Sequence, residues 1–171
     1  MVRFPEGFRC EPLRKSHVRK SFCSGQAAVD VWLARHALQN QDKNLSVTRV
    51  LVGAGSEIAG YYTIATGQVD FSALPSDISK RLPKRAVPVA VLAWLGVDQR
   101  FQGKGLGSRL LAQALADCHL ASQTFAFVAV ILDCIDDHAK AFYQRWDFAE
   151  LPGNPMRLYL SAQALNALMS Q

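Results

Sequence analysis

The sequence predicts a mixed α/β fold with a central sheet flanked by helices. Residues 88–97 form an apolar run that is short enough to be a strand buried on both faces. An amphipathic run from Leu106 to Cys118 is typical of a helix that packs on a sheet. A second apolar run, residues 124–132, is rich in β-branched and aromatic residues and predicts another interior strand. Strand, helix and strand in this order predict a β-α-β unit.

Two elements are predicted upstream of this unit. Residues 26–40 space their apolar side chains as a helix does, with Arg35 and His36 on the polar side. Residues 46–53 and 57–67 alternate or run apolar on either side of a Gly-Ala-Gly-Ser segment. This arrangement predicts a β-hairpin.

The central helix and the C-terminal part of the chain follow the same logic. Gln113 and Asp117 fall on the polar side of the central helix together with Arg109. Residues 156–160 predict a last short strand, after which Ser161 is placed to cap a terminal helix. The predicted buried stripe of the central helix comprises Leu106, Leu110, Leu111, Ala114, Leu115 and Cys118.

Length and composition predict one domain over residues 1–171. A chain of ~150 residues buries roughly 68–70% of its unfolded surface, so a substantial core is possible here. Half of the residues are hydrophobic, which argues against disorder. The four cysteines and four histidines show no metal-ligand spacing, so no metal site is predicted. No signal pattern is present, and the apolar stretch 86–97 is too short to span a bilayer, so we expect a cytoplasmic protein without membrane contact.

Basic side chains outnumber acidic ones and lie in two clusters. Nineteen Lys and Arg against fourteen Asp and Glu give a formal net charge of +5. One such cluster alone is usually a solvated face, whereas two together favour a substrate that carries several phosphates. The N-terminal basic cluster comprises Arg14, Lys15, Arg19 and Lys20, with Arg9 shortly before them, and the loop basic cluster comprises Lys80, Arg81, Lys84 and Arg85.

A glycine-rich loop joins the first predicted strand to the central helix. Gly103, Gly105 and Gly107 alternate there, and glycine both permits a positive φ and leaves backbone N–H groups open to a ligand. Together with the positive end of the following helix, these groups predict a phosphate site. A plain strand-to-helix turn explains the glycine spacing equally well. The Gly-x-Gly-x-x-Gly dinucleotide fingerprint is absent from this loop.

Two motifs resemble the GNAT superfamily of N-acetyltransferases. Arg100 to Gly105 follow Arg/Gln-x-x-Gly-x-Gly/Ala, and residues 139–148 follow Ala-x-x-Phe-Tyr-x-x-x-Gly-Phe with Asp147 in place of glycine. Because Asp tolerates the left-handed conformation, we expect this turn to be kept. The resemblance implies the acyl-CoA N-acyltransferase fold and acetyl-coenzyme A (acetyl-CoA) as cosubstrate. The cofactor contacts that it implies are Leu95, Val97, Arg100, Gln102, Gly103, Lys104, Gly105, Leu106, Gly107 and Ser108.

The same resemblance implies that Tyr143 is the general acid. A phenol with a pKa near ~10 is protonated at neutral pH and can give its proton to a departing thiolate. Spacing alone favours a core aromatic beside Phe142 instead. The sequence offers no candidate general base, and we expect water to serve the weakly basic α-amine of an aminoacyl ester.

Within the superfamily, residues 10–160 are most similar to the acetyltransferase toxins of bacterial toxin–antitoxin systems. The segments 60–65, 83–88 and 95–107 carry this likeness. It implies acetylation of the α-amino group of aminoacyl-tRNA, which blocks translation, and neutralisation by a ribbon-helix-helix antitoxin. It also implies that the loop basic cluster, helped by the N-terminal basic cluster, holds the tRNA backbone.

Two other functions remain alternatives at this point. An N-acetyltransferase of a small amine or of a protein N-terminus would not need the basic clusters. A non-catalytic acetyl-CoA-binding or DNA-binding partner protein would keep the glycine loop without depending on Tyr143. The oligomeric state is open between a monomer and a homodimer.

Overall fold

A mixed seven-stranded sheet forms the framework of residues 2–171, which the computed structural model describes. The strand order is β1-β2-β3-β4-β5-β7-β6, with β4 and β5 parallel and the pairs β1–β2, β2–β3, β5–β7 and β6–β7 antiparallel. The predicted α/β fold with a mixed central sheet and helices is confirmed. The strands are β1 (Arg9–Pro12), β2 (Ser46–Val52), β3 (Ile58–Asp70), β4 (Ala86–Val97), β5 (Ala129–Asp133), β6 (Ala149–Leu151) and β7 (Asn154–Ser161). The helices are α1 (Ala27–Val31), α2 (Ala37–Asp42), α3 (Ser76–Ser79), α4 (Leu106–Ser122), α5 (Asp137–Gln144) and α6 (Ala162–Met169).

The chain forms two compact units. The first unit runs from the N-terminal segment to Ala65 and resumes over Leu92–Ala116. The second unit comprises Thr66–Val91 and Asp117–Gln171. The expectation of one domain over residues 1–171 stays a prediction.

The core of the first unit closes around Tyr61. Its ring is fully buried and meets Phe22 edge-on, with the ring centroids 5.4 Å apart. Its hydroxyl donates to the Val29 carbonyl oxygen at 2.6 Å, which ties β3 to α1. Gly96 of β4 must be glycine, because an added Cβ would lie 2.6 Å from Cγ1 of Val29. The hairpin predicted before β4 is confirmed as β2 and β3.

The helix predicted over residues 26–40 is interrupted. A π-helical turn, Trp32–His36, separates α1 from α2. A π turn carries one extra residue and rotates the helix face that follows it, so the simple helical spacing fails here. Val31, directly before this turn, is 42% exposed, whereas Leu33 within it is fully buried.

The central helix α4 packs as predicted, with one correction. All six residues of the expected apolar stripe are buried. Gln113, expected on the polar side, is buried too, and its Oε1 accepts a hydrogen bond from the Val2 N–H at 3.2 Å. Arg109 is exposed as predicted. The buried amide thus has a partner on the N-terminal segment, which the helical spacing could not indicate.

Both strands predicted around α4 exist, but their details differ. In β4, Val87 and Val89 are buried while Ala86 and Pro88 are exposed, so burial on both faces was wrong for this part of the strand. The second strand, predicted from residue 124, begins only at Ala129 as β5. The N–H groups of residues 124 and 125 both donate to the Ala121 carbonyl and extend the end of α4.

The second unit has its own core and a capped terminal helix. Val87, Val89 and Ile131 belong to this core, which is formed by residues of β4 and β5 and of the segments around them. The predicted last strand is confirmed as β7, and the Ser161 side chain accepts from the Ala164 N–H at 3.1 Å. The strands β1 and β6 and the helix α3 were not predicted, because three or four residues carry too little periodicity.

Candidate cofactor loop and proton donor

The glycine loop has the backbone conformation that its sequence predicts. Gly103 and Gly105 have φ angles of +76° and +74°, a region that L side chains rarely adopt. No heavy atom lies within 4 Å of the position where a Cβ would be at either glycine. Gly107 lies inside α4. The loop backbone is therefore open to the surroundings at the two positions that require glycine.

The first turn of α4 adds backbone donors beside this loop. The N–H groups of Leu106, Gly107 and Ser108 begin the helix, where amides lack carbonyl partners one turn earlier. The Arg109 N–H donates to the Gly105 carbonyl oxygen at 3.3 Å. Leu106 is buried and anchors the helix start. A helix of 17 residues adds its positive end, so the arrangement fits a phosphate-bearing ligand.

Asp98, which the sequence analysis did not single out, organises the end of β4. It is buried and accepts from the Cys23 N–H at 3.0 Å and from the Arg100 N–H at 2.9 Å. The Arg100 guanidinium donates to both carboxylate oxygens, at 2.9 and 3.1 Å. A local signal was present, since Asp directly after a strand is typical of a capped turn. Its partner at residue 23 could not be found by spacing.

The electrostatics of this site favour the charged pair. Burial raises the pKa of Asp98, but the hydrogen bonds from Arg100 and Cys23 outweigh it and hold that pKa below the usual range.

The Arg100 guanidinium lies 5.5 Å from the Phe101 ring centroid, and Lys104 Nζ lies 5.6 Å from the same centroid. Two cations therefore flank one aromatic ring at the loop.

The remaining predicted cofactor residues lie at the end of β4 and at the loop. The Gln102 side chain donates to the carbonyl oxygens of Val97 at 2.9 Å and Ser24 at 2.8 Å. This amide fastens the loop to β4, which the sequence did not indicate. Leu95 and Val97 are half-buried. The first unit thus contains every predicted cofactor contact, held by Asp98 and Gln102.

We expect Asp98→Asn to destabilise the protein by about 1 to 3 kcal/mol at pH 7, the range for losing hydrogen bonds to a buried charged group. Because the folded-state pKa is lowered, this stabilisation is present above the usual carboxyl pKa and is lost as the pH falls through the lowered value. Urea unfolding of the wild type and the variant should therefore differ at pH 7 and converge in acid.

Asp133→Asn is the matched control for this prediction. Asp133 makes the same two-pronged contact with Arg157, at 2.8 and 3.1 Å, but its side chain is 66% exposed. Exposed pairs contribute about 0–1 kcal/mol. Equal losses in the two variants would contradict the importance of burial at Asp98.

Tyr143 lies on α5, the helix after β5, as predicted, and α5 belongs to the second unit. Its ring is buried and meets Phe142 and Phe148 edge-on, with centroids 5.1 and 5.9 Å away. Burial raises the pKa of Tyr143, and the nearby Cys134 adds to the rise. The phenol therefore stays protonated over the whole neutral range. Asp147 has φ +65°, which confirms the expected left-handed turn after the helix.

The two basic clusters are placed in different units. All four residues of the loop basic cluster are exposed, between α3 and the start of β4. In the N-terminal basic cluster, Arg14, Lys15 and Lys20 are exposed. Arg19 is half-buried, and its Nε is buried without a hydrogen-bond partner among residues 2–171. Among residues 2–171, none of the helices combines the length and the apolar composition that spanning a membrane requires.

Three comparisons with known proteins place this geometry in context. Residues 48–150, more than half of the chain, match the acetyltransferase (GNAT) domain family. A tRNA-acetylating toxin of Mycobacterium tuberculosis (strain ATCC 25618 / H37Rv) is 34% identical over 149 residues, covering 87% of this chain and 89% of the toxin.

Two solved structures have the same fold. AtaT complexed with acetyl-methionyl-tRNAfMet superposes with a TM-score of 0.86 at 23% identity, covering 95% of this chain and 99% of AtaT. A mutant AtaT toxin bound to the C-terminus of the antitoxin AtaR gives 0.83 at 20% identity, covering 97% and 100% of the two chains. At these identities the structures show a shared fold, whereas the family match and the mycobacterial relative show ancestry. The chain belongs to the GNAT acetyltransferase family.

Proposed function

We propose that this protein is an acetyl-CoA-dependent N-acetyltransferase that acetylates the α-amino group of aminoacyl-tRNA and thereby blocks translation. One observation carries the proposal: an open, positive-φ glycine loop starts α4 in a chain that is 34% identical, over 149 residues, to a tRNA-acetylating toxin. The loop supports the cofactor, and the relative supports the acceptor.

The first unit would hold the cosubstrate through backbone groups. In this assignment the N–H groups of residues 102–108 bind the pyrophosphate, with Arg100 and Lys104 providing positive charge. Backbone groups of Leu95 and Val97 orient the pantetheine arm and polarise the thioester carbonyl. Bound acetyl-CoA supplies an activated acetyl group as a thioester.

Tyr143 would supply the proton that the leaving thiolate needs. The neutral amine attacks the carbonyl carbon, the carbon–sulfur bond breaks, and the thiolate sulfur takes the proton from the Tyr143 hydroxyl. A pKa raised by burial keeps that proton in place until the transfer. Water accepts the proton that the weakly basic α-amine loses on acylation, and a proton from solvent then restores the Tyr143 phenol.

The basic clusters would hold the phosphate backbone of the acceptor. Each neutralised phosphate releases counterions, so binding of aminoacyl-tRNA should weaken with salt by a slope of ~0.7 to 0.9 per contact. A small amine has no such backbone and would show no such slope. Because aminoacyl-tRNA and ribosomes share the cytoplasm, we place the protein there.

The toxin assignment also implies a protein partner. We propose that a ribbon-helix-helix antitoxin neutralises the enzyme. A mutant AtaT toxin, which shares this fold, is bound to the C-terminus of the antitoxin AtaR, and this supports the proposal. Co-expression with a small ribbon-helix-helix protein encoded next to this chain should restore growth.

Reversing two charges in the loop basic cluster should separate the acceptor from the cofactor. We expect Arg81→Glu with Arg85→Glu to abolish growth arrest and acetylation of charged tRNA, while the affinity for acetyl-CoA stays unchanged. Both residues are exposed, so the fold should tolerate the change. Growth assays, transfer of labelled acetyl groups and calorimetry measure the three quantities.

A double reversal elsewhere is the control for net charge. Arg3→Glu with Lys43→Glu changes the charge equally at exposed positions outside both clusters and should keep most of the activity. The wild type is then incubated with labelled acetyl-CoA and a mixture of charged tRNA, uncharged tRNA, peptides and polyamines. Label on peptides or polyamines alone would refute the toxin assignment and favour a small-amine or N-terminal acetyltransferase.

A further inference from the structure

Three aromatic rings form a stack in the first unit. The rings of Trp32 and Trp94 lie nearly parallel, with centroids 5.4 Å apart and planes 14° apart. The ring of His36 lies 5.8 Å from Trp32, tilted by 36°. Trp32 and His36 are the two ends of the π-helical turn, and Trp94 belongs to β4. We call these three residues the aromatic stack.

Buried hydroxyls fix the aromatic stack from within. Trp32 Nε1 donates to Thr63 Oγ1 at 3.1 Å, and the hydroxyls of Thr63 and Thr48 are hydrogen-bonded at 2.7 Å. Both threonines are buried. The indole N–H of Trp32 is therefore satisfied inside the protein, and the ring cannot rotate freely.

The aromatic stack is nevertheless partly accessible to solvent. His36 is exposed, and Trp32 and Trp94 are partly exposed. Turns of π-helix are rare in proteins, and those that interrupt an α-helix often lie at functional sites. Here it brings two rings to one side of the helix beside a third ring from the sheet. The exposed part of the three rings offers aromatic surface, which suits a planar partner recognised by stacking.

The segment that leads into the N-terminal basic cluster is hydrogen-bonded to Thr48 as well. The Leu13 N–H donates to the Thr48 carbonyl at 2.9 Å, and the Gln41 side chain joins the Leu13 carbonyl and the Thr48 N–H, at 2.9 and 3.0 Å. Thr48 thus supports both the ring stack and the segment that leads directly into the exposed residues Arg14 and Lys15. These contacts tie the beginning of the N-terminal basic cluster to β2, whose Thr48 is linked to Trp32 through the Thr63 hydroxyl.

We propose that the aromatic stack binds a nucleobase of the single-stranded 3′ end of the acceptor RNA, while Arg14, Lys15 and the exposed Arg35 hold neighbouring phosphates. A stacking surface beside cations is the combination that recognises single strands with little dependence on sequence. This inference rests on the proposed function, because it supplies the nucleotide contact of that acceptor. It assigns the π-helical turn a role in substrate binding.

The test uses a short single-stranded RNA ending in CCA, with 2-aminopurine as its last base. Stacking should quench the fluorescence of this probe on the wild type. Trp94→Leu should lose the quenching and weaken binding about 10-fold or more, since one base stack contributes ~1–3 kcal/mol. Trp94→Phe should restore part of both, and His36→Ala, which removes an exposed ring, should show a smaller loss. Thermal unfolding compares the folding of all variants.

Acetylation assays complete the test and separate it from the proposed function. In Trp94→Leu, kcat/KM for aminoacyl-tRNA should fall by the same factor, while acetylation of methionine methyl ester and the Kd for acetyl-CoA stay unchanged. Probe quenching without any acetylation of charged tRNA would overturn the proposed function and leave the nucleobase site standing. Equal quenching by wild type and folded Trp94→Leu would overturn the nucleobase site. If Trp94→Leu lowered kcat/KM only for tRNA charged with bulky amino acids and left probe quenching unchanged, the nucleobase site would be overturned too. The aromatic stack would then contact the amino-acid side chain.

Discussion

Replacing Tyr143 by Phe should lower turnover on the acceptor amine by ~10² to 10⁴-fold, the usual contribution of a general acid. The substitution deletes one hydroxyl and keeps the ring that packs against Phe142 and Phe148. The affinity for acetyl-CoA, measured by calorimetry, should therefore change little. Single-turnover kinetics with saturating acetyl-CoA measure the chemical step directly.

The pH dependence gives this prediction a second readout. Because burial raises the pKa of Tyr143 above its ordinary value near 10, the wild type should not lose activity below about pH 10 through ionisation of this phenol. Tyr159→Phe is the matched control, since it removes a phenol hydroxyl from β7 in the same unit. Turnover near wild type in Tyr143→Phe would show that water or another group gives the proton, and that Tyr143 is a core aromatic.

Replacing Gly105 by Glu should weaken acetyl-CoA binding by roughly 100-fold or more. The new side chain and its charge would occupy the space in front of the loop N–H groups. Two lost hydrogen bonds to a charged phosphate, at about 1.5 kcal/mol each, correspond to about this factor. Calorimetric titration of the purified variant with acetyl-CoA measures the loss.

Gly153→Glu controls for backbone strain. Gly153 has φ +73° and, like Gly105, no heavy atom within 4 Å of an added Cβ. The two substitutions therefore impose the same conformational strain at different places, and both should lower the melting temperature by similar amounts. If both variants, or neither, lost affinity for acetyl-CoA, the phosphate assignment of the loop would be wrong.

Local sequence pattern accounts for much of the glycine loop and of the elements around it. The order of β4, α4 and β5 follows from hydrophobic period, because a 3.6-residue repeat can bury only one face of a helix. The positive φ angles of Gly103 and Gly105 and the left-handed Asp147 follow from residue type, because few side chains tolerate that region. Ser161 caps α6 for an equally local reason, since its acceptor is three residues away.

The sequence by itself determined the β-α-β order, the glycine loop and the position of Tyr143 on a helix, because each depends on residues a few positions apart. The tertiary structure decided what depends on distant partners. Asp98 accepts a hydrogen bond from the N–H of Cys23, and the buried Gln113 accepts one from the N–H of Val2, 111 residues away. The stack of Trp32 on Trp94 likewise joins a π turn to a strand far along the chain. Periodicity reports on neighbours along the chain, whereas such contacts exist only after the chain has folded and closed the loops between them.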